Sequence, residues 1–532
     1  MTRAAAAEPH VVAAGPVSTG GLSRHPYYAV GAVLLGSLVA NVDSRVFSIG
    51  LADLRGGLSL SFDQGAWLAT ASTASQIFMA PAVAWLATVF GLRRVLGIPA
   101  LIYAAISLLI PFVRDYQLLL VLHIAHGLLL GAFVPATLLI IFRNLPMQWW
   151  LPAIAIYGIR VGFTLNAGVS IAGFYVEHLG WQWIYWQDVI VAPLLALLVY
   201  LGTPADPINR ELLRDADWGG MLLFGSSVAM IYTGLDQGNR LDWFGSGTIV
   251  ALLGGGTLLL IGFFINEALV KRPWAHAEVL LSRNIGLALL AILLFSLTSL
   301  SNTALVPNFL VTIAQLKPVQ TGPLFMLCAV APMIVLLPLS IHLVRRYDPK
   351  LTMIIGFAAF AAAALLGTRV TSAWTVSDFV PVVLLQSVGV SLTLLAIIIV
   401  TLSNSDPTRA TAFAAYIQMM RLGCAEIGIA LMTTWLRVRE QTHSNLLGQH
   451  VASGDADVVG TLTKLKGVFA GYGDSLAQAR SVGTLAGLVQ RQANTLAYID
   501  GFWLTFWFAL AGLVCVALIG RAPPGPFTPK RG

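Results

Sequence analysis

The residues best suited to chemistry in this sequence are ionisable side chains that lie inside long apolar stretches. The principal ones are Asp43, Arg45, His123, His126, Arg160, Arg421 and Glu426. A charge near the centre of a bilayer costs about 2.5–3.5 kcal/mol on insertion scales, so each of these groups needs a partner or water. Such positions favour the binding and transfer of protons or ions within a membrane.

Asp43 is the strongest candidate for proton or substrate coupling, because a buried carboxyl can load a proton from one side and release it to the other. A purely structural ion pair is the alternative. Arg45 lies two residues further along and points to a different helix face. We therefore expect Asp43 to pair across helices, with Arg160 or the histidines as candidate partners.

His123 and His126 are three residues apart and share one face of a predicted helix. Histidine titrates near neutral pH, so the two side chains could relay protons. Hydrogen-bonded packing histidines are the alternative interpretation. No further ligand at a suitable spacing is evident, so no metal site is predicted, and no cofactor is predicted either.

Arg421 and Glu426 are five residues apart, beyond the favoured i, i+3 and i, i+4 pairing on a helix. Glu426 is therefore either a second acid in a cavity or the partner of a residue on another helix, and both interpretations stay open. Asp188, Glu267 and Asp500 lie close to the ends of apolar stretches, and we interpret them as interfacial.

The composition indicates the class of protein that holds these charges. Of 532 residues, 57% are hydrophobic and 10% are charged, whereas soluble domains are about 25% charged. The net charge of +7 is spread along the chain rather than gathered into a basic block, which argues against a nucleic-acid partner. The three cysteines lie in apolar runs and indicate neither a disulfide framework nor a zinc site. The sequence predicts an all-α integral membrane protein.

A helix needs about 20 apolar residues to cross the bilayer, and this length predicts about fourteen spans. They lie near residues 28–51, 64–90, 95–112, 116–142, 151–177, 184–203, 219–236, 246–268, 285–312, 322–344, 351–368, 376–402, 410–436 and 499–520. Basic residues are concentrated in alternate connections, which predicts an even number of spans with both termini in the cytoplasm.

A weak internal repeat suggests how the spans are grouped. An apolar helix end, a tight turn and basic residues occur at 85–94 and again at 342–350. With six spans on either side of a central pair, this echo predicts two homologous halves around a midplane site. The predicted divisions are a flexible tail at 1–27, a six-helix half at 28–203, a central linker with two extra spans at 204–284, a six-helix half at 285–520 and a tail at 521–532.

The long connection at 437–498 is polar and lies outside the cell in the predicted orientation. It has helical patches, which indicate a structured cap that could dock a partner. A solvated connector with some helix is the alternative.

Five segments match motifs in order and spacing. They are residues 42–50 in the first span, 84–96 in a basic loop, 123–127 in the fourth span, 168–173 in the fifth span and 181–185. Together they resemble the 14-span drug:H+ antiporter group of the major facilitator superfamily, the EmrB/QacA type. Some motif positions differ: Thr88 and Val89 replace an acid and an arginine, Val169 replaces a proline, and His123 replaces an arginine whose charge Arg160 could supply.

The resemblance implies a proton-coupled exporter of lipophilic or cationic organic compounds, not an enzyme, that works by alternating access in a bacterial inner membrane. It implies protons, a small organic substrate and lipid as partners and, in a double-membrane bacterium, a periplasmic adaptor (membrane fusion protein) and an outer-membrane channel. An exporter of one metabolite or siderophore, and a membrane scaffold that has lost transport coupling, are the alternatives.

The site residues expected on this basis form three sets. Proton coupling is assigned to Asp43, His123, His126, Arg160, Arg421 and Glu426. Candidates for the substrate cavity, each with a helix–helix hydrogen bond as its alternative, are Gln76, Tyr157, Asn166, Asn302, Asn308, Tyr416 and Gln418. The conformational motifs contain Gly91, Arg93, Arg94, Gly168 and Gly173, of which the last two also allow close helix packing.

Overall fold

The computed structural model describes residues 22–23, 25–270, 273–403, 410–451 and 455–520, and these residues form helices without any strand. The predicted all-α fold is therefore confirmed. The predicted tails at 1–27 and 521–532 lie almost entirely outside the described residues. The helices are α1 Pro26–Leu58, α2 Phe62–Met79, α3 Val83–Phe90, α4 Ile98–Leu109, α5 Tyr116–Asn144, α6 Met147–Phe174, α7 Trp183–Gly202, α8 Arg210–Arg214, α9 Trp218–Gly238, α10 Gly247–Leu269, α11 Glu278–Leu281, α12 Arg283–Thr298, α13 Val306–Thr312, α14 Pro318–Phe325, α15 Ala331–Arg346, α16 Pro349–Gly367, α17 Val380–Ser403, α18 Ala410–Gln418, α19 Cys424–Gln449, α20 Ala456–Val468 and α21 Asp474–Leu518.

Among the described residues, eleven helical stretches are long and apolar enough to cross a membrane. A twelfth is obtained if α2 and α3, which meet at a bend of 55°, are counted as one span. Helices also occupy 147–174 and 410–449, where the fifth and thirteenth spans are predicted. The chain is thus a multi-pass helical protein, and the count of fourteen stays a prediction.

The helices from α1 to α7 pack around α1, which contacts α5, α6 and α7 along its length. Helix α2 packs on α5, and α4 packs on α7. Large aromatic side chains fill the spaces between these helices, and Tyr103, Phe133 and Tyr185 are fully buried there. Burying such side chains stabilises the contacts among the helices mainly through close packing, because lipid is as apolar as the interior.

The helices from α12 onward pack in a similar way around α16, α17 and α21. Helix α16 lies between α17 and α21, and α12 contacts α21 as well. Phe357 and Phe360 of α16 are fully buried, and the Phe360 ring meets that of Phe295 edge-on at 5.8 Å between centroids.

Helices α9 and α10 pack on each other, and α9 also contacts α2 and α19. Polar groups fasten α9 to α2. Thr70 Oγ1 donates to Asp236 Oδ2 at 2.5 Å and accepts a hydrogen bond from the Gln237 amide. Close by, Arg240 Nη1 pairs with Asp63 Oδ1 at 2.8 Å. The central pair of helices is thereby attached to the first group through side-chain hydrogen bonds.

The connection predicted at 437–498 is largely helical. Helix α19 continues to Gln449, α20 follows, and α21 begins at Asp474 and runs for 45 residues without a break. At 1.5 Å per residue α21 is about 68 Å long, more than twice the roughly 30 Å of the hydrocarbon core. The cap is thus built from extensions of the last two long helices.

A three-residue cluster joins the two extensions near their base. The Asp500 carboxylate accepts hydrogen bonds from Arg439 Nε at 2.5 Å and from His443 Nε2 at 2.7 Å. The carboxylate is only partly exposed, and two α19 side chains converge on one α21 oxygen. The cluster therefore fixes the register between α19 and α21.

We predict that Asp500→Ala loosens the cap and lowers the unfolding free energy by roughly 1 kcal/mol, the upper end for partly exposed pairs. Thermal unfolding of the purified protein measures the change. Asp474→Ala is the control. The Asp474 side chain is 87% exposed, so its pair with Lys466 should contribute little to the free energy of unfolding. Equal melting temperatures for wild type and Asp500→Ala would show that the cluster does not hold the two helices together.

Candidate functional site

We call α1 to α7 the first group of helices and α12 to α21 the second group. A cavity of about 160 Å³ lies between helices of these two groups. Its wall is mostly apolar and includes side chains of α1, α5, α6, α12, α17 and α19. The lining residues are Asn41, Arg45, Leu138, Tyr157, Ile292, Phe295, Ser296, Ser299, Leu300, Thr303, Leu394, Ile397, Ile398, Thr401, Ile417, Arg421, Leu422, Ala425, Glu426 and Ile429. An apolar wall with a few polar groups is the usual make-up of a small-molecule site.

Two arginines face this cavity from opposite groups of helices. Arg45 of α1 donates from Nη2 to the Thr303 carbonyl oxygen at 2.8 Å, while its buried Nε has no hydrogen-bond partner among the described residues. Arg421 donates to the Tyr157 hydroxyl, and its guanidinium carbon lies 5.1 Å from the centroid of that ring. Each arginine therefore reaches across to the other group of helices, where it is held by a hydrogen bond.

Glu426 is the third charged residue of the lining. Its position agrees with the interpretation of a second acid in a cavity, and Arg45 lines the same space from α1. With all three groups ionised, the cavity carries two positive charges and one negative charge.

Two π-helical turns border the cavity, at Ser301–Leu305 and at Met419–Gly423. Such turns interrupt the regular helical hydrogen-bond ladder and are frequent at functional sites. The first contains Thr303, whose carbonyl accepts from Arg45, and the second contains Arg421. The local backbone therefore places both arginine contacts.

A second cluster of ionisable groups is buried among α1, α4, α5 and α7. Carboxylate oxygens of Asp43 and Asp188 and a ring nitrogen of His126 all lie within 4.8 Å of one another. Asp43 is 3% exposed, Asp188 2% and His126 2%. None of the three lines the central cavity.

Neutral polar groups surround this second cluster. A ring nitrogen of His126 is 2.9 Å from the Ser107 hydroxyl, and Tyr103 stacks on the His126 ring at 4.1 Å between centroids. His123 Nδ1 donates to the Leu119 carbonyl at 2.7 Å, because a carbonyl can only accept. In the neutral ring, Nε2 then accepts the hydroxyl hydrogen of Tyr185 at 2.8 Å.

The interpretation of Asp188 as interfacial is wrong, because its carboxyl is buried beside Asp43 and His126. Helix α7 packs against both α1 and α4, and this buries the face that carries Asp188. Asp188 is the one charged residue within Trp183–Gly202. A lone charge in an apolar span is the signal that marks a functional position, and proximity to the predicted end of the span concealed it.

Asp43 lies beside His126, one of its predicted partners, and Arg45 faces the cavity instead, on another side of α1. The side chains of Arg160 and Asn166 lie outside the described part of the structure. The role of Arg160 as a substitute charge is therefore still a prediction.

Of the predicted cavity residues, Tyr157 lines the cavity. Gln76, Asn302, Tyr416 and Gln418 are buried elsewhere between helices, and Asn308 is exposed. The cavity's other polar groups were not among the predicted substrate contacts: Asn41, Arg45, Ser296, Ser299, Thr303 and Thr401. Polarity identified candidates, but it did not show which helix face meets the cavity.

The basic loop motif closes onto the end of α7. Gly91 has φ +80, a conformation that side chains rarely adopt, and a Cβ there would lie 3.1 Å from Asp206. Arg93 Nε donates to the Thr203 carbonyl at 2.7 Å, and Arg94 Nη1 reaches the Asp206 carbonyl at 3.2 Å. Glycine therefore allows the turn, and the arginines tie it to the segment after α7.

The glycines of α6 permit two close approaches. A Cβ at Gly168 would lie 2.6 Å from Arg45 Cβ, and one at Gly173 would lie 2.8 Å from the backbone nitrogen of Val319. A Cβ at Gly322 of α14 would in turn lie 3.0 Å from Ser170 Cα. Helices α6 and α14 are therefore in backbone contact at one end of the molecule.

Comparison with known proteins gives the family. The model of the Major Facilitator Superfamily matches residues 33–426. This chain belongs to the Major Facilitator Superfamily. Membership confirms the prediction of a membrane transporter rather than an enzyme.

Relatives within the superfamily include exporters and resistance proteins. The chain is 22% identical to the multidrug export protein EmrB of Escherichia coli K12, over 91% of this chain and 94% of that protein. It is 21% identical to the fatty acid resistance protein FarB of Neisseria gonorrhoeae, with the same two shares covered. It is 26% identical to the puromycin resistance protein pur8 of Streptomyces alboniger, over 85% and 88%. The predicted resemblance to the EmrB type is confirmed.

Solved structures agree on the superfamily fold. The proton:xylose symporter XylE superposes with a TM-score of 0.57 at 13% identity and covers 93% of this chain and 96% of its own. The peptide transporter PepTSo gives 0.55 at 13% identity, with 93% and 98% covered.

We predict that Gly173→Ala disturbs the α6–α14 contact. The new methyl group would overlap the backbone of Val319, which cannot move away as a flexible side chain could. Overpacking of this kind typically costs about 1–3 kcal/mol. The melting temperature of the purified protein and the rate of substrate transport in proteoliposomes should both fall. Gly254→Ala is the matched control, since nothing lies within 4 Å of a Cβ there. Unchanged stability and transport in Gly173→Ala would contradict the contact.

Proposed function

We propose that this superfamily member is a proton-coupled exporter of lipophilic organic compounds that works by alternating access. The observation that carries the proposal is the apolar cavity with three charged side chains, walled by helices of both groups. The names of its relatives, multidrug export and resistance proteins, support the same function.

The charges of the cavity refine the class of substrate. Arg45 and Arg421 outnumber Glu426, so the cavity attracts anionic lipophilic compounds more than cationic ones. The apolar wall suits a hydrocarbon or aromatic body, and the name of the relative FarB, a fatty acid resistance protein, agrees with an acidic substrate. The proposal thus gives less weight to cationic compounds than the sequence-based expectation did.

We assign proton coupling to Asp43, His123 and His126 in the buried cluster and to Glu426 in the cavity, with Arg421 and Arg160 as the balancing charges. The two predicted halves, 28–203 and 285–520, would rock about the cavity with 204–284 between them. The contact of Gly173 with Val319 supports closure at one end of α6 during this motion.

We place the protein in the bacterial inner membrane with both termini in the cytoplasm, in accordance with its basic residues. The cap formed by α19, α20 and α21 would then face the periplasm. Its length beyond the bilayer supports docking to a periplasmic adaptor, and through it to an outer-membrane channel.

The test of the function is substrate-dependent proton movement in proteoliposomes. Three compounds that share an alkyl chain but differ in charge distinguish anionic, neutral and cationic substrates. They are decanesulfonate, decanamide and decyltrimethylammonium. Decanesulfonate stays ionised and carries no proton by itself. We expect it to drive proton movement most strongly. A response to none of the three, or to one metabolite alone from a wider panel, would contradict the proposal. Complete absence of transport, with partners that co-purify through 437–498, would indicate a scaffold.

We predict that Glu426→Gln tightens decanesulfonate binding and weakens decyltrimethylammonium binding, and that Arg421→Gln does the reverse. A change of about tenfold in each direction is expected, equal to 1.4 kcal/mol. Binding measured on purified protein gives the values. Ser296→Ala, which alters the lining without changing its charge, is the control. Equal shifts for both compounds would show that the charges do not select substrates.

A further inference from the structure

The pair formed by Asp43 and Asp188 has an unusual electrostatic position. Both carboxylates are buried, and both lie within 4.8 Å of the same ring nitrogen of His126. Neither makes an ion pair with a lysine or arginine among the described side chains. Two adjacent carboxylates in a low-dielectric interior cannot both stay ionised without a cation between them.

The hydrogen bonding around the pair also favours a shared proton. The two carboxyls lie within hydrogen-bonding reach of each other and of the Tyr103 hydroxyl, and Asp188 also faces the Ser107 hydroxyl. An ionised carboxylate only accepts, whereas a protonated one also donates. One proton shared by the pair therefore supplies the donor for the hydrogen bond between the two carboxyls.

The groups that face the pair come from several elements. They are Tyr103 and Ser107 of α4, His126 of α5, Tyr185 of α7 and Tyr175 directly after α6, with His123 of α5 behind Tyr185 and His126. Arg45, the nearest basic residue along α1, contacts Thr303 and lines the central cavity. A proton is thus the cation that these surroundings fit, because it needs no coordination shell beyond the two carboxyls.

We propose that Asp43 and Asp188 act together as one acid, which retains one proton between its carboxyls and binds the coupling proton as its second. The pair is a monoanion when unloaded and neutral when loaded, and no covalent bond other than O–H changes. Asp188 is therefore a proton-binding residue in its own right. This inference rests on the proposed function, in which a proton gradient drives export.

The acid pair lies apart from the substrate cavity. Asp43 and Arg45 lie two residues apart on α1 and face the two sites respectively. Neutralising the pair removes a buried negative charge from one side of α1 while substrate occupies the other. Binding of the proton can therefore alter how α1 packs against α5 and α7, although the proton and the substrate do not bind to the same residues.

A ligand-free experiment tests the pair directly. Infrared spectroscopy of the protein in liposomes records the carbonyl stretch of protonated carboxyls as pH is varied. We expect two protonation steps in wild type, which belong to the pair as a unit, and a single step in Asp188→Asn and in Asp43→Asn. Asp457→Asn removes an exposed carboxyl and serves as control. Unchanged buried-carboxyl signals in Asp188→Asn would overturn the proposal.

Transport provides the second measurement, with decanesulfonate as the probe. Asp188→Asn should lose at least tenfold in substrate-driven proton movement yet retain decanesulfonate counterflow, which needs no proton gradient. Asp188→Glu should keep both, and the double Asn variant should be no worse than either single one. Proton movement at the wild-type level in Asp188→Asn would make Asp188 merely structural.

Two further outcomes are distinguishable from these. If wild-type protein moves no protons with any compound but shows the two-step titration, the proposed function fails while the acid pair stands. If transport is lost on treatment with EDTA or requires a sodium gradient, a metal ion rather than a proton occupies the pair, and the inference is overturned.

Discussion

The cost of placing charge in a low-dielectric membrane interior governs the organisation of this molecule. The charged side chains around α1 are divided into two groups rather than dispersed. One group combines Arg45, Arg421 and Glu426 around an open cavity, and the other combines Asp43 and Asp188 in a closed site with His126. Helix α1 contributes to both, so its packing against α5, α6 and α7 links the two groups.

The backbone is adapted to these charges. Gly168 leaves room for the stem of Arg45, and the π-helical turn at Ser301–Leu305 presents the Thr303 carbonyl to its guanidinium. Arg421 lies in a second π-helical turn and crosses to Tyr157. Both arginines therefore hold helices of opposite groups together through contacts that ligand binding can replace. Such contacts stabilise a state without making it permanent.

The helical fold and the importance of the intramembrane charges followed from the sequence, because apolar length and scarce charge are properties of single segments. The neighbours of each charge did not follow. Asp188 looked interfacial because its distance from the predicted span end was known, whereas the tilt and packing of α7 were not. Tyr157 and Tyr416 are both buried, but only Tyr157 lines the cavity, because only its helix face meets the cavity. Tertiary packing decides these matters, and residue type alone does not encode it.

The unbroken course of α21 has a mechanical consequence. A rigid rod that is anchored in the bilayer and projects beyond it magnifies movement at its free end. About 38 Å of α21 extends past the hydrocarbon core, so a tilt of 10° displaces its tip by about 7 Å. The Asp500 cluster obliges α19 to follow. A rearrangement among the buried helices would thus be amplified at the free end of α21.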